Sequence, residues 1–240
     1  MPTTTNKQRV INQILTTLKK RYDPPEPEPR PVLEQFLYAV CREGATRKQA
    51  DRAFRNLQER FFDWNEIRVS SPREIEEVLS GLPDGENRAN RLISFLQEVF
   101  ETTYSFDLES LHKKGLKQAA KQLSRYQAAN DYAVAWVIQQ SLGGHAIPLD
   151  PPSLQVLARL GLIEDDGEDL ETSRASLEHL VPKSRGTLFM ELISALAHDE
   201  GWENDPTCPV RSFVQRDSSS EEDDAPTPAI AHRTVRPKPR

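Results

Sequence analysis

Between Leu111 and Asn130 the chain places Lys113, Lys114, Lys117, Lys121 and Arg125 with no acidic residue among them. Cations at that density suit phosphate oxygens, whose counterions are released on binding, so such a contact weakens as salt rises. The whole protein has 31 Lys+Arg against 37 Asp+Glu and a formal net charge of -6, so this is a local patch in an acidic molecule. An ordinary solvated helix face accounts for the same residues equally well. Arg88 and Arg91 are weaker candidates for the same surface. Asp150 precedes Pro151 and Pro152, and an aspartate before a proline at the first helical position reads as a helix N-cap.

Other chemistries are excluded by what is missing. His112, His145, His179, His198 and His232 show no paired ligand spacing, so no metal site is expected. The phosphate-binding GxxxxGK[ST] loop, the GxGxxG dinucleotide fingerprint and the GxSxG nucleophile elbow are all absent. Two cysteines, Cys41 and Cys208, are too few for a four-thiolate zinc or iron–sulfur site or a disulfide framework, and they fit a reducing cytoplasm. No apolar run approaches the roughly 20 residues of a membrane span, and MPTTTNKQ lacks a signal-peptide core. A soluble, cytoplasmic monomer without cofactor is the expectation.

The elements that must position these residues are helical. Val10, Ile11, Ile14, Leu15 and Leu18 predict an amphipathic helix within residues 1–22, broken at Asp23-Pro24-Pro25 by a proline-rich connector over 23–31. The main body, 32–214, opens with a buried helix over 32–43 ending near Gly44. Helices follow around Ala50–Phe61, over about 72–80 with a Ser71–Glu74 capping box, and through Leu92–Phe100. Asp107 is expected to cap the segment carrying Leu111 to Leu123. Ala133–Leu142 should be the central helix, stopped by Gly143-Gly144. Helices at Leu154–Leu160, Leu177–Val181 and Leu188–Leu196 complete an all-α body. Residues 215–240, acidic and then basic and proline-rich, are expected to be a disordered charged tail. Its run Ser218–Asp224 reads as solubilising, with mimicry of nucleic acid toward the basic patch as the lesser alternative.

The order of these segments resembles the endonuclease III-like, helix-hairpin-helix DNA glycosylase superfamily over residues 6–214. The most specific match is AVAWVIQQSLGGHAIPLDPPSLQVLARLGL, where Leu149-Asp150 resembles the catalytic-aspartate motif. PVLEQFLYAVCREGAT, LPDGENRANRLISFLQEVF and ASLEHLVPKSRGTLFMELISALAHDEGW match in order, and DPTCPV looks like a remnant of a cluster loop. The resemblance implies a two-lobed helical fold, double-stranded DNA as partner, and Asp150 as a carboxylate stabilising positive charge on a sugar as its base leaves.

The departures point the other way. The hairpin Leu-Pro-Gly-x-Gly of bifunctional members corresponds to Tyr126-Gln127-Ala128-Ala129-Asn130, and Tyr132 stands where their catalytic lysine would be. Schiff-base lyase chemistry is therefore not expected. Tyr132 either contacts a nucleotide or packs, with packing favoured. Gly44 lies near a position that often holds a gap-filling glutamine, and Cys208 alone cannot hold an iron–sulfur cluster. Two functions stay open: monofunctional base excision in DNA repair through Asp150, or a catalytically inactive helical module binding DNA or a protein partner.

Overall fold

The computed structural model describes residues 4–163 and 170–213. Two apolar clusters divide them into two lobes. The first lobe contains α2 (Val32–Arg42), α3 (Arg47–Arg60), α4 (Trp64–Val69), α5 (Pro72–Val78), α6 (Gly85–Thr103), α7 (Leu116–Leu123) and α8 (Asp131–Gln140). The second contains α1 (Thr4–Tyr22), α9 (Pro151–Arg159), α10 (Leu170–Leu180) and α11 (Lys183–Ala197). Among the described residues there is no strand, and no helix is long and apolar enough to cross a membrane. The expected tail, 215–240, lies outside them.

The amphipathic stripe of α1 decides where the amino-terminal helix goes. Ile11, Ile14, Leu15 and Leu18 are buried against Leu157, Leu177, Phe189 and Ile193, so α1 completes the carboxy-terminal lobe and the proline connector carries the chain across to the other one. In the last turn of α1, Arg21 donates to Asp199 at 2.8 Å and to Asp205 at 2.9 Å, and the Tyr22 hydroxyl donates to Asp199 at 2.6 Å. These bonds hold the loop containing Cys208, itself buried. Bonds from Thr207, followed by Arg21, bring the Asp205 carboxyl down to about 2. Because that value is depressed in the folded state, the contribution is present above an unfolded value near 3.8 and disappears as pH falls toward 2. Urea unfolding of Asp205→Ala should therefore show a stability deficit that is constant above about pH 5 and closes as pH approaches about 2. A deficit unchanged by acid would mean that the carboxylate charge is not what anchors this loop.

α2 and α8 form the centre of the first lobe. Phe36 stacks on Phe95 with centroids 3.6 Å apart, and Trp136 Nε1 donates to the buried Gln35 Oε1 at 2.9 Å. The Cys41 thiol is fully enclosed here, and burial pushes it up to about 12, which leaves it protonated and inert near neutrality. α8 ends at Gln140, before the expected Leu142, and Gly143, with φ +62°, turns the chain so that Gly144 N donates to the Ile138 carbonyl at 2.8 Å. A Cβ on Gly144 would lie 2.4 Å from Ile138 Cγ2, so glycine is required for that close return.

Two local expectations change. The segment capped by Asp107 splits into a 3₁₀ turn, Glu109–Lys113, and α7, separated at Lys114-Gly115. The short helix α4, capped by the Asp63 side chain on Glu66 N, was not expected; it buries only Ile67 and so leaves no periodic signature.

Candidate functional site

Asp150 sits where the lobes meet. Residues 145–149 approach without regular secondary structure, and the two prolines that follow start α9 with φ already suited to a helix. The carboxylate caps that helix: Oδ1 accepts from Ser153 N at 3.0 Å. Oδ2 accepts from Gly44 N at 2.8 Å, joining α9 to the corner that follows α2 in the other lobe. Gly44 has φ +64°, a left-handed conformation that turns its N–H toward the carboxylate and disfavours any residue with a Cβ. Asp150 is only 1% exposed. Its side chain is an internal tie between lobes.

The neighbours of Asp150 are equally enclosed. Tyr132, at the sequence position that suggested a nucleotide contact, is 4% exposed and stacks against Trp136. α8 turns that face into the core, the packing arrangement that the sequence favours for this residue. Burial raises its hydroxyl well above the ordinary tyrosine value, so it stays neutral. Arg42, 2% exposed, donates to Ser194 Oγ at 2.8 Å and to the Ala45 carbonyl, and reaches Glu191 at 3.4 Å. Sequence reasoning gave no role to Arg42 or Glu191, which lie 149 positions apart. An arginine and a glutamate among the buried positions of otherwise apolar helices was the available signal.

The hairpin between α7 and α8 is brought to the same corner. Asn130 caps α8 through Ala133 N at 3.0 Å and donates to Glu43 at 2.7 Å, beside the glycine that holds Asp150. An anion cradle is made by successive N–H groups that converge, most readily where a left-handed residue alternates with a right-handed one. No residue from 124 to 130 has positive φ. The Gln127 N–H is already bonded to the Glu98 carboxylate at 3.0 and 3.2 Å. A negative side chain thus occupies the place where a phosphate would seek a donor.

Arg88 is buried and Arg91 partly buried. Arg88 donates to the carbonyls of Val40, Glu43 and Pro83, closing the end of α2, and burial lowers its pKa. Arg91 pairs with Glu43 at 2.8 Å. Lys113, Lys114, Lys117, Lys121 and Arg125, in contrast, are all exposed. α7 buries Ala119 and Leu123, which puts Lys117 and Lys121, one turn apart, on its outer side, and Arg125 continues that line past the helix end. The Lys114 ammonium donates to Gln122, which folds the preceding turn onto the same side. None of the five forms an ion pair among the described residues.

Solved structures share this fold. A trapped endonuclease III–DNA covalent intermediate matches with TM-score 0.65 at 16% identity, over 90% of this chain and 97% of that one. A non-covalent endonuclease III–DNA complex matches with TM-score 0.67 at 15% identity, over 90% and 96%. A thermostable thymine-DNA glycosylase matches with TM-score 0.62 at 15% identity, over 88% and 96%. No family model matches the chain, and no curated protein matches it. The all-α, two-lobed fold is that of the helix-hairpin-helix DNA glycosylases, in a divergent sequence.

Proposed function

We propose that this chain, which has the fold of the helix-hairpin-helix DNA glycosylases, binds double-stranded DNA without excising bases. The exposed basic line on α7 makes the contact and Asp150 serves as a structural tie. One observation carries this reading: the carboxylate that the resemblance makes catalytic is 1% exposed, with one oxygen capping α9 and the other bonded to Gly44 N across the lobes. A carboxylate can stabilise a cationic sugar only if the sugar reaches it. Stacking of Tyr132 against the core and the Glu98–Gln127 bond at the hairpin support the same conclusion.

Contact through α7 is electrostatic and independent of sequence. Each phosphate neutralised contributes about -0.9 to the slope of log K against log salt on B-DNA. Anisotropy titrations of a duplex at several salt concentrations should give weak, steeply salt-dependent binding, and Lys117→Ala with Lys121→Ala should flatten the slope by roughly two units. An unchanged slope, or no binding at low salt, would remove the basic line from the reading. The monofunctional alternative is read in parallel, on duplexes containing uracil, alkylated or oxidised bases. Base release that is lost in Asp150→Asn would restore Asp150 as a catalytic residue.

A further inference from the structure

The outer face of α3 leads to an apolar pocket. Ala50, Ala53, Phe54 and Leu57 turn into the core, so Lys48, Arg52 and Arg55 point the other way, and all three are exposed. None of them forms an ion pair among the described residues. The row Arg52, Arg55, Gln58 and Phe61, each three residues on, slants around the helix into a pocket of about 280 Å³ at the turn into α4. Leu57, Phe61, Trp64 and Ile67 supply its apolar wall. Phe62, at its lip, is 95% exposed, more than any other large apolar side chain among the described residues. Single exposed apolar residues are ordinary, but one beside an apolar pocket, at the end of an unpaired cationic row, marks an interaction surface.

Charge reverses along this surface. Asp51, on the flank of the row, is engaged by the Tyr38 hydroxyl and by Arg47 at 3.8 Å, which leaves the cations dominant there. Around the end of the helix Glu59, Asp63 and Glu66 are exposed, with Arg60 drawn over the Phe61 ring. A matching occupant is acidic first, then uncharged and apolar, then basic. Beyond Phe213 and after Arg216 the sequence has that order: Asp217 and the acidic residues 221–224, then 225–231 without charge and containing Ile230, then Arg233 and Arg236. Length suffices as well. Phe213 packs in the second lobe, and Asp199 of that lobe lines one cavity with Lys48, so the start of α3 borders the lobe from which the chain departs. Residues 214–220 span up to about 25 Å when extended. From Lys48 to Arg60 the helix runs about 18 Å, and from Glu221 to Ile230 an extended chain spans up to about 30 Å, enough to follow the row and turn over its end. We infer that residues 217–230 of the same chain dock here, with 221–224 over Lys48, Arg52 and Arg55 and Ile230 in the pocket against Phe62. The basic line on α7 would suit the acidic run alone, whereas α3 suits the whole order of charges. The inference is independent of DNA binding.

Carbodiimide cross-linking of the full chain at low concentration, without DNA and read by mass spectrometry, tests it, because it joins a lysine amine to a carboxylate in contact and Lys48 is the lysine on this face. The main link from the tail should join Lys48 to a carboxylate at 221–224 within one monomer. Two variants that leave the core untouched separate docking from chance encounter. Arg52→Ala with Arg55→Ala removes the cations, and Ile230→Asp puts a charge beside Asp63 in place of the apolar anchor. Each should lower the initial rate of the link by at least about threefold. Tail links chiefly to other lysines, Lys117 and Lys121 included, links only between two copies, no tail link at all, or a rate unchanged in either variant would each overturn the inference.

Discussion

Arg42→Met should cost about 3–5 kcal/mol of folding stability, the loss typical when one member of a buried ion pair is removed. The methionine fills much of the arginine's volume, so the loss comes from groups left behind and not from a void. Glu191 would keep only Arg47 at 3.6 Å, while Ser194 Oγ and the Ala45 carbonyl would lose their donor. For a domain of this size a loss of that order lowers Tm by roughly 10 °C. The partner variants separate charge from packing. Arg42→Met with Glu191→Leu removes both charges and should recover part of the loss, because a well-packed apolar pair avoids the desolvation of two ions. If Arg42→Met cost under about 1 kcal/mol in urea unfolding, solvent would have to reach Glu191 freely, contrary to its burial.

The pair matters for more than stability, since it joins α2 to α11 and so fixes one lobe against the other. Sequence periodicity could not reveal it. Hydrophobic spacing identifies which face of a helix is buried, and it located α1, α2, α6, α8 and α11 through residues such as Ile14, Phe36, Leu96 and Phe189. It carries no information on which buried face meets which, and the Arg42–Glu191 pair exists only through that meeting. The same holds for Glu98 and Gln127: nothing local signals that a carboxylate from α6 will bond to the hairpin amide. Local chemistry was legible where its partners are close in sequence. Ser71–Glu74, Asp107 with Glu109, and Asp150 with Ser153 each close within three residues, and each forms in the structure. The basic run was legible as composition, and its outward orientation follows from Ala119 and Leu123 turning inward.

Asp150 joins both kinds of information, and its substitutions separate a tie from a catalyst. Asp150→Ala should cost about 2–4 kcal/mol: roughly 1 for the lost N-cap, and about 1–3 for the Gly44 N–H left buried without an acceptor. Asp150→Asn keeps an oxygen for Ser153 N but turns an NH₂ toward the Gly44 N–H, so it should retain the cap and still lose the second part. A carboxylate whose purpose is to face a substrate gives the opposite pattern, with the amide nearly neutral in stability and activity abolished, because the catalytic lone pairs face solvent or ligand. In this protein the lone pairs that matter point at two backbone amides, one in each lobe. Each oxygen has a second lone pair, and the side chain is only 1% exposed. Urea unfolding of wild type, Asp150→Asn and Asp150→Ala should therefore give a graded series. If Asp150→Asn were instead as stable as wild type, the Gly44 bond would carry no energy and the interlobe tie would fail as an explanation for the residue.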